Sequence, residues 1–390
     1  MSLHKTHTTD RATGRDVNLE ITMSSNLLSR SNGSLGNQHS FARKTLPATI
    51  GIVLSLLAAH QASANTAGLN FYGRANVSAD FLDNGTDSDL NVSSNSSRIG
   101  VRASTDIAEG LKGLLQVETQ INYDNGSGNL ANRDTFIGLE GGFGRVRLGQ
   151  IDTPLKQIRS AVDFFGDQIG DLRNVTRLNG STGAPYTSQD FDARFRNGVY
   201  YNTPAFGGGF VFNLHYTPQV NEGANLEEDT AAYSTSLTYE AGNLYFSVAT
   251  EQWETTNDSN ALRVGARYKF TNLTLSGLFQ QATIKNQALE EDVQTFGIGA
   301  SYKLSSTWVA KGQIYTLDPK DRDDSGTTLA VVGADYILSN QFRLLFAYAQ
   351  ADNDELARYR ITGGGGYGDA VATTVGETAS GFSLGLRYDF

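Results

Sequence analysis

The residues with the most chemistry to offer are arginines set at alternating positions and a separate group of charges in one long stretch. Arg98 and Arg102 are out of phase with Ile99, Val101 and Ala103, Arg145 and Arg147 with Val146 and Leu148, and Arg74 with Gly73 and Ala75. A guanidinium stays protonated and carries only donors, so such a row is a line of fixed positive charge and transfers no proton. The second group is Arg159, Asp163, Asp167 and Asp171. Facing each other across a narrow water path, the two groups would set up a transverse field whose balance decides ion preference.

Covalent chemistry has little to work with. Cysteine is absent, which removes thiolate nucleophiles and thiolate metal sites. Of five histidines only His215 lies beyond residue 64, in phase with Asn213 and Thr217, and no motif marks a partner serine. Asp321 to Gly326 matches the first half of a calcium loop, but the twelfth position is Val332 where a glutamate is needed, so it reads as a polar turn. Gly363 to Gly366 has no following helix or lysine to cradle a phosphate. The expectation is no enzyme, no cofactor and no metal.

The elements that must position these charges are strands. Leu69, Phe71, Gly73, Ala75, Val77, Ala79 and Phe81 alternate with Asn70, Tyr72, Arg74, Asn76, Ser78 and Asp80. The same period of two returns in Leu262 to Phe270, in Phe342 to Tyr348, and in the closing Gly381 to Phe390, where Phe382, Leu384, Leu386, Tyr388 and Phe390 share one face. Sixteen such runs begin near residues 69, 97, 111, 133, 143, 194, 208, 230, 242, 260, 272, 293, 306, 327, 341 and 380. Short turns between them alternate without exception with longer polar connections near 82–96, 123–132, 152–193, 219–229, 253–259, 284–292, 318–326 and 352–379. That predicts an all-β, 16-stranded antiparallel transmembrane up-and-down barrel with tight turns on one rim. Arginine facing hydrocarbon costs about 2–4 kcal/mol near the midplane, so the arginine rows point inward. A mean hydropathy of −0.32 fits a wall with only one face in lipid.

The stretch 152–193 is too long for a structureless connection. Leu155, Ile158, Val162 and Phe165 mark one apolar face of a short helix opened by Pro154, while Lys156, Arg159 and Asp163 fall on the other. Such a segment would lie against the inner wall and narrow the lumen; the alternative is an exposed loop that caps the barrel mouth.

Arg43 and Lys44 precede the apolar run Ile50 to Ala59, and Ala62-Ser63-Ala64 follows as a cleavage pattern. The reading is a mis-called extension over 1–42, a signal peptide over 43–64 and a barrel over 65–390. Residues 1–64 hold 6 basic and 3 acidic residues, leaving 25 against 38 and a net of −13, compared with −10 for the whole chain. Nucleic acid is excluded as a partner by that balance.

Ser97-Arg98-Ile99-Gly100-Val101, Thr135-Phe136-Ile137-Gly138-Leu139, Phe143 to Gln150, Arg196 to Tyr201 and Gly385 to Phe390 resemble the strands of Gram-negative general porins of the beta- and gamma-proteobacterial type, and the resemblance spans residues 65–390. It implies a homotrimer in the cell outer membrane, in contact with lipid and lipopolysaccharide. It also implies a third loop folded into the pore and a terminal Phe390 read by the barrel-assembly machinery. The expected function is a water-filled channel for passive diffusion of small hydrophilic solutes and ions. The alternative is a substrate-selective channel with a saturable binding site.

Overall fold

The structure, a computed structural model, describes residues 68–186, 190–220, 231–254, 258–286, 289–363 and 373–390. The proposed extension and signal peptide lie outside the described residues, as does most of the Gly363 to Gly366 run. Seventeen strands follow one another: β1 (Leu69–Asp83), β2 (Ser88–Ser94), β3 (Arg98–Ala108), β4 (Leu111–Gln120), β5 (Thr135–Gly141), β6 (Gly144–Asp152), β7 (Arg194–Asn202), β8 (Phe210–Thr217), β9 (Ala231–Ala241), β10 (Leu244–Glu254), β11 (Ser259–Lys269), β12 (Leu273–Asn286), β13 (Leu289–Lys303), β14 (Trp308–Pro319), β15 (Thr327–Ile337), β16 (Phe342–Asn353) and β17 (Ala379–Asp389). Each pairs antiparallel with its neighbours, and β1 pairs with β17 from Arg74↔Asp389 to Asp83↔Ser380, which closes the barrel. Closure leaves no open edge, as a sheet in hydrocarbon requires.

On its other side β1 pairs with β2 over Val77–Asp83 and with β3 over Leu69–Arg74. Strands β2 and β3 are thus one wall strand interrupted at Asn95–Ser97, and the wall has sixteen positions. This corrects the expected long connection at 82–96, of which only Asn84–Asp87 joins strands. Asn84 Oδ1 accepts from the backbone of Thr86 at 2.9 Å and Asp87 at 2.8 Å, making the turn. Leu90 and Val92 face outward there, and the polar residues alternating with them face in, so polarity alone looked like a loop. The connection expected at 284–292 is likewise strand on both sides, with Asn286 paired to Leu289. Seven residues join β7 to β8 on the opposite rim, so the long–short alternation is not strict.

The outward face carries Phe71, Phe81, Leu148, Phe296, Ile298, Ile314, Leu384 and Leu386, all exposed. Aromatic pairs ring the short-turn rim: Phe210 with Tyr239, Tyr268 with Phe270, Trp308 with Tyr336, and Tyr388 with Phe390. Such a belt suits a membrane–water interface.

Residues 153–186 and 190–193 pack on the opposite, inward face. They form one-turn helices α1 (Pro154–Gln157), α2 (Arg159–Val162) and α3 (Arg173–Thr176). Thr153 caps α1, its hydroxyl accepting from Lys156 N at 3.2 Å, and Pro154 opens it. Leu155, Ile158, Val162, Phe165, Ile169, Leu172 and Val175 are buried against inward residues of the far wall, among them Ala249, Ala261, Leu278, Val331 and Ala347. Gly265 leaves the space that the Ile158 side chain fills, since a Cβ there would overlap Ile158 Cγ2. The apolar core therefore lies inside the barrel, on one side, and the remaining space runs beside β1, β3, β6, β7 and β17.

Candidate functional site

The inner segment is tied to the wall mainly through its carbonyl oxygens. Ser276 Oγ donates to Val162 O at 2.7 Å, Gln280 Nε2 to Thr176 O at 3.0 Å, Thr295 Oγ1 to Val175 O at 3.0 Å, and Asn76 Nδ2 to Asp167 O at 2.7 Å. These ties satisfy backbone groups that have no strand partner, so the segment keeps one position.

Its charges form a compact network. Asp171 is fully buried: Oδ1 accepts from Arg173 N at 2.8 Å and Arg173 Nε at 3.0 Å, and Oδ2 from Arg159 Nη1 at 3.0 Å and Asp167 N at 2.7 Å. Asp167 then meets both segment and wall, with Arg173 Nη2 at 2.7 Å, Arg74 Nη1 at 3.4 Å, Arg159 Nη2 at 3.8 Å and Arg98 Nη1 at 3.9 Å. Its backbone sits at φ +61°, an uncommon conformation for a non-glycine residue that this set of contacts holds in place. Burial opposes ionisation of Asp167, yet Arg159, Arg173, Arg98 and Arg74 together hold its carboxyl well below the usual range. Asp163 behaves oppositely. Burial and the neighbouring Asp171 push it up to about 7 against the pull of Arg159, while Gln313 Nε2 and Phe165 N each donate to its Oδ1 at 3.0 Å.

Between this network and the wall lies a cavity of about 420 Å³. Among the described residues nine basic side chains line it: Arg74, Arg98, Arg133, Arg194, Lys311 and Arg387 outside the inner segment, and Lys156, Arg159 and Arg173 within it. Four carboxylates answer them, Asp152, Asp163, Asp167 and Asp335, leaving an excess of five positive charges when all four are ionised. A second cavity of about 310 Å³ shares Arg74, Arg98, Arg133, Arg194 and Asp152 and adds Arg102 together with Glu118, Asp134 and Asp389, so toward the short-turn rim the arginines are nearly balanced by carboxylates.

The expected residues are thus divided. Arg74 and Arg98 meet the inner segment at Asp167. Arg102 lies over the Tyr72 ring at 4.0 Å and donates to Gln116 at 2.9 Å. Arg145 pairs with Glu140 at 2.6 Å near the short turn, and Arg147 lies over Tyr200 at 4.3 Å and donates to Asn202 at 2.7 Å. Arg145 and Arg147 line neither cavity. Arg133, Arg194, Lys311 and Arg387 were missed as lining residues. Arg387 is in phase with Arg74 across the closing register, a parity legible in the sequence, whereas Arg133 lies in a connection where no parity exists.

His215 is buried between Phe195 and Tyr200, with ring centroids 5.1 and 4.9 Å away, and neither ring nitrogen has a hydrogen-bond partner among the described residues. Asp321 Oδ2 accepts from Asp292 N at 2.7 Å, and no group of three potential metal-binding side chains occurs among the described residues. Phe390 closes the last strand on the first, exchanging backbone hydrogen bonds with Gly73 at 2.9 and 3.1 Å.

Residues 48–356 match a family model described as Gram-negative porin. Outer membrane porin protein 32 of Delftia acidovorans is 27% identical over 357 residues, 87% of this chain and 99% of that protein. Major outer membrane protein P.IB of Neisseria gonorrhoeae is 27% identical over 223 residues, 57% of this chain and 50% of that protein. Among solved structures, the anion-selective porin from Comamonas acidovorans superposes with a TM-score of 0.73 at 25% identity, covering 83% of this chain and 99% of that one. The trimer form of OmpT from Vibrio cholerae gives 0.62 at 18% identity, covering 83% and 99%.

Proposed function

Because the chain belongs to the Gram-negative porin family, we propose that its charged lumen sets which solutes its channel prefers. The protein is an outer-membrane porin, and its relatives are channels rather than enzymes. Solutes cross down their gradients through the space between the inner segment and the basic wall. The observation that carries this reading is the lining: nine basic groups face four carboxylates around one cavity. In such confined surroundings charges are poorly screened, whereas acidic groups outside are screened within about 8–10 Å at physiological salt. The preference is therefore for anions, despite the net acidity of the chain.

In this reading residues 153–193 are the constriction loop, with Arg159, Asp163, Asp167 and Asp171 as its charged network. Assembly as a homotrimer is supported by the trimer form of the OmpT neighbour. Phe390, locked to Gly73, is the end recognised during barrel assembly, and lipid and lipopolysaccharide cover the outward apolar band. Liposome swelling with sugars and amino acids tests the passage. Uptake falling smoothly with solute size supports general diffusion, and saturation by one solute class would establish a selective site instead.

A further inference from the structure

The interruption between β2 and β3 gathers an unusual amount of buried oxygen. Ser93, Asn95, Ser96 and Ser97 are at most 1% exposed, and Asp80 beside them is 0% exposed. The Asp80 carboxylate accepts from Ser383 Oγ at 2.5 Å on Oδ1 and from Ser78 Oγ at 3.0 Å on Oδ2. Asn95 Nδ2 in turn donates to Ser78 Oγ at 2.7 Å. Equally buried Asp171 and Asp192 are each held by an arginine, at 2.8 Å in both cases. No lysine or arginine forms an ion pair with Asp80 among the described residues; its partners are hydroxyls. A buried, ionised carboxylate without a counter-charge is costly, and hydroxyl donors offset only part of that cost.

Ser78 stands across from Ser93 in the β1–β2 register, and Asp80 across from Ser383 in the β1–β17 register, so three adjacent strands turn these side chains toward one inward patch. The Ser93 hydroxyl has no hydrogen-bond partner of good geometry among the described residues, although the residue is wholly buried. An orphaned buried oxygen next to an unbalanced carboxylate calls for a positive, oxygen-seeking occupant. We propose that Asp80, Ser78, Ser93 and Ser383 bind one dehydrated alkali cation, with Asp80 supplying the charge and the hydroxyls the neutral ligands.

One carboxylate balances one positive charge. Calcium sites of useful affinity gather several carboxylates, and transition metals take nitrogen or sulfur, which the patch lacks. The site also has a mechanical consequence. Asn76 Nδ2 donates both to Asn95 O at 3.1 Å and to Asp167 O at 2.7 Å, so a cation that fixes the Asn95 turn braces the wall where the inner segment is anchored.

The test is heat denaturation of the purified barrel in detergent, with sodium or potassium chloride exchanged for N-methylglucamine chloride at equal ionic strength. The wild-type midpoint rises by about 2–4 °C per tenfold increase in alkali cation above half-saturation. Asp80→Asn loses that dependence, and Ser93→Ala moves half-saturation to higher concentration. Thallium(I) soaked into wild-type crystals gives an anomalous peak beside Asp80, which decides the matter should Asp80→Asn fail to fold. No cation dependence in the wild type, equal dependence in Asp80→Asn, or no thallium peak would each overturn the proposal. Stability that instead rises on acidification, through Asp80 alone, would show a protonated carboxyl and overturn it too.

Discussion

Arg263 on β11 holds Asp192, near the end of the inner segment, through two parallel hydrogen bonds: Nη1 to Oδ1 at 2.8 Å and Nη2 to Oδ2 at 3.1 Å, with neither side chain exposed. The same guanidinium donates to Leu155 O at 3.2 Å and Phe191 O at 3.3 Å, so one wall residue fastens both ends of the segment. Removing one partner of such a pair leaves an uncompensated buried charge and costs about 3–5 kcal/mol. Arg263→Gln should therefore lower the thermal midpoint and give noisier single-channel currents, while Arg145→Gln, whose ion pair lies at the rim, leaves both unchanged.

Phe390 packs its ring on Gly73, where a Cβ would overlap Phe390 Cζ, and the glycine lends an open surface that the aromatic covers. Gly73→Val should displace the ring from the β1–β17 seam. The expected result is a severalfold lower yield of folded barrel in vitro, with unchanged conductance in those barrels that form. A normal folding yield would show that the seam does not depend on this contact.

Asp163 makes the lumen pH-sensitive. Its carboxyl titrates at about 7 in the folded chain against 3.8 for the free group, so folding favours the protonated form. The stability this contributes is full below pH 3.8 and is lost as pH rises through 7. Above 7 the cavity lining gains one negative charge, so anion preference should be weaker at pH 8 than at pH 6. Asp163→Asn should abolish that step in reversal potential while keeping the pH 6 value.

Much of this architecture is legible in the sequence because a membrane barrel imposes a period of two on every strand. Phe382, Leu384 and Leu386 declare their face without help from tertiary structure. The inner segment is legible for a related reason: Leu155, Ile158, Val162 and Phe165 needed an apolar seat, and they have one. What the seat would be made of was not legible. Ala347, Ala349 and Ala351 on β16 point inward, where polar residues are the rule, because the segment covers them. Strand β2 was hidden for the converse reason, since inward polar residues with short outward runs read as loop. Arg133 and Arg194 enter the lumen from strand ends and connections, where alternation carries no information, and only the fold brings them beside Arg98.

The basic wall should act through those arginines that meet Asp167 and the cavity, and not through every inward arginine. Arg147→Ser, which removes a guanidinium stacked on Tyr200 outside both cavities, should leave reversal potential near the wild-type value. A shift as large as that from Arg98→Ser would place the narrow point nearer the short-turn rim.

The most direct measurement is reversal potential across a planar bilayer in a potassium chloride gradient, comparing wild type with Arg74→Ser/Arg98→Ser. The wild type should prefer chloride, and the double variant should shift toward potassium with equal or higher conductance, since two of the nine basic lining groups are gone and the Asp167 carboxylate loses both of its wall arginines. Cation preference in the wild type, or a double variant indistinguishable from it, would contradict the assignment of the constriction to this cavity.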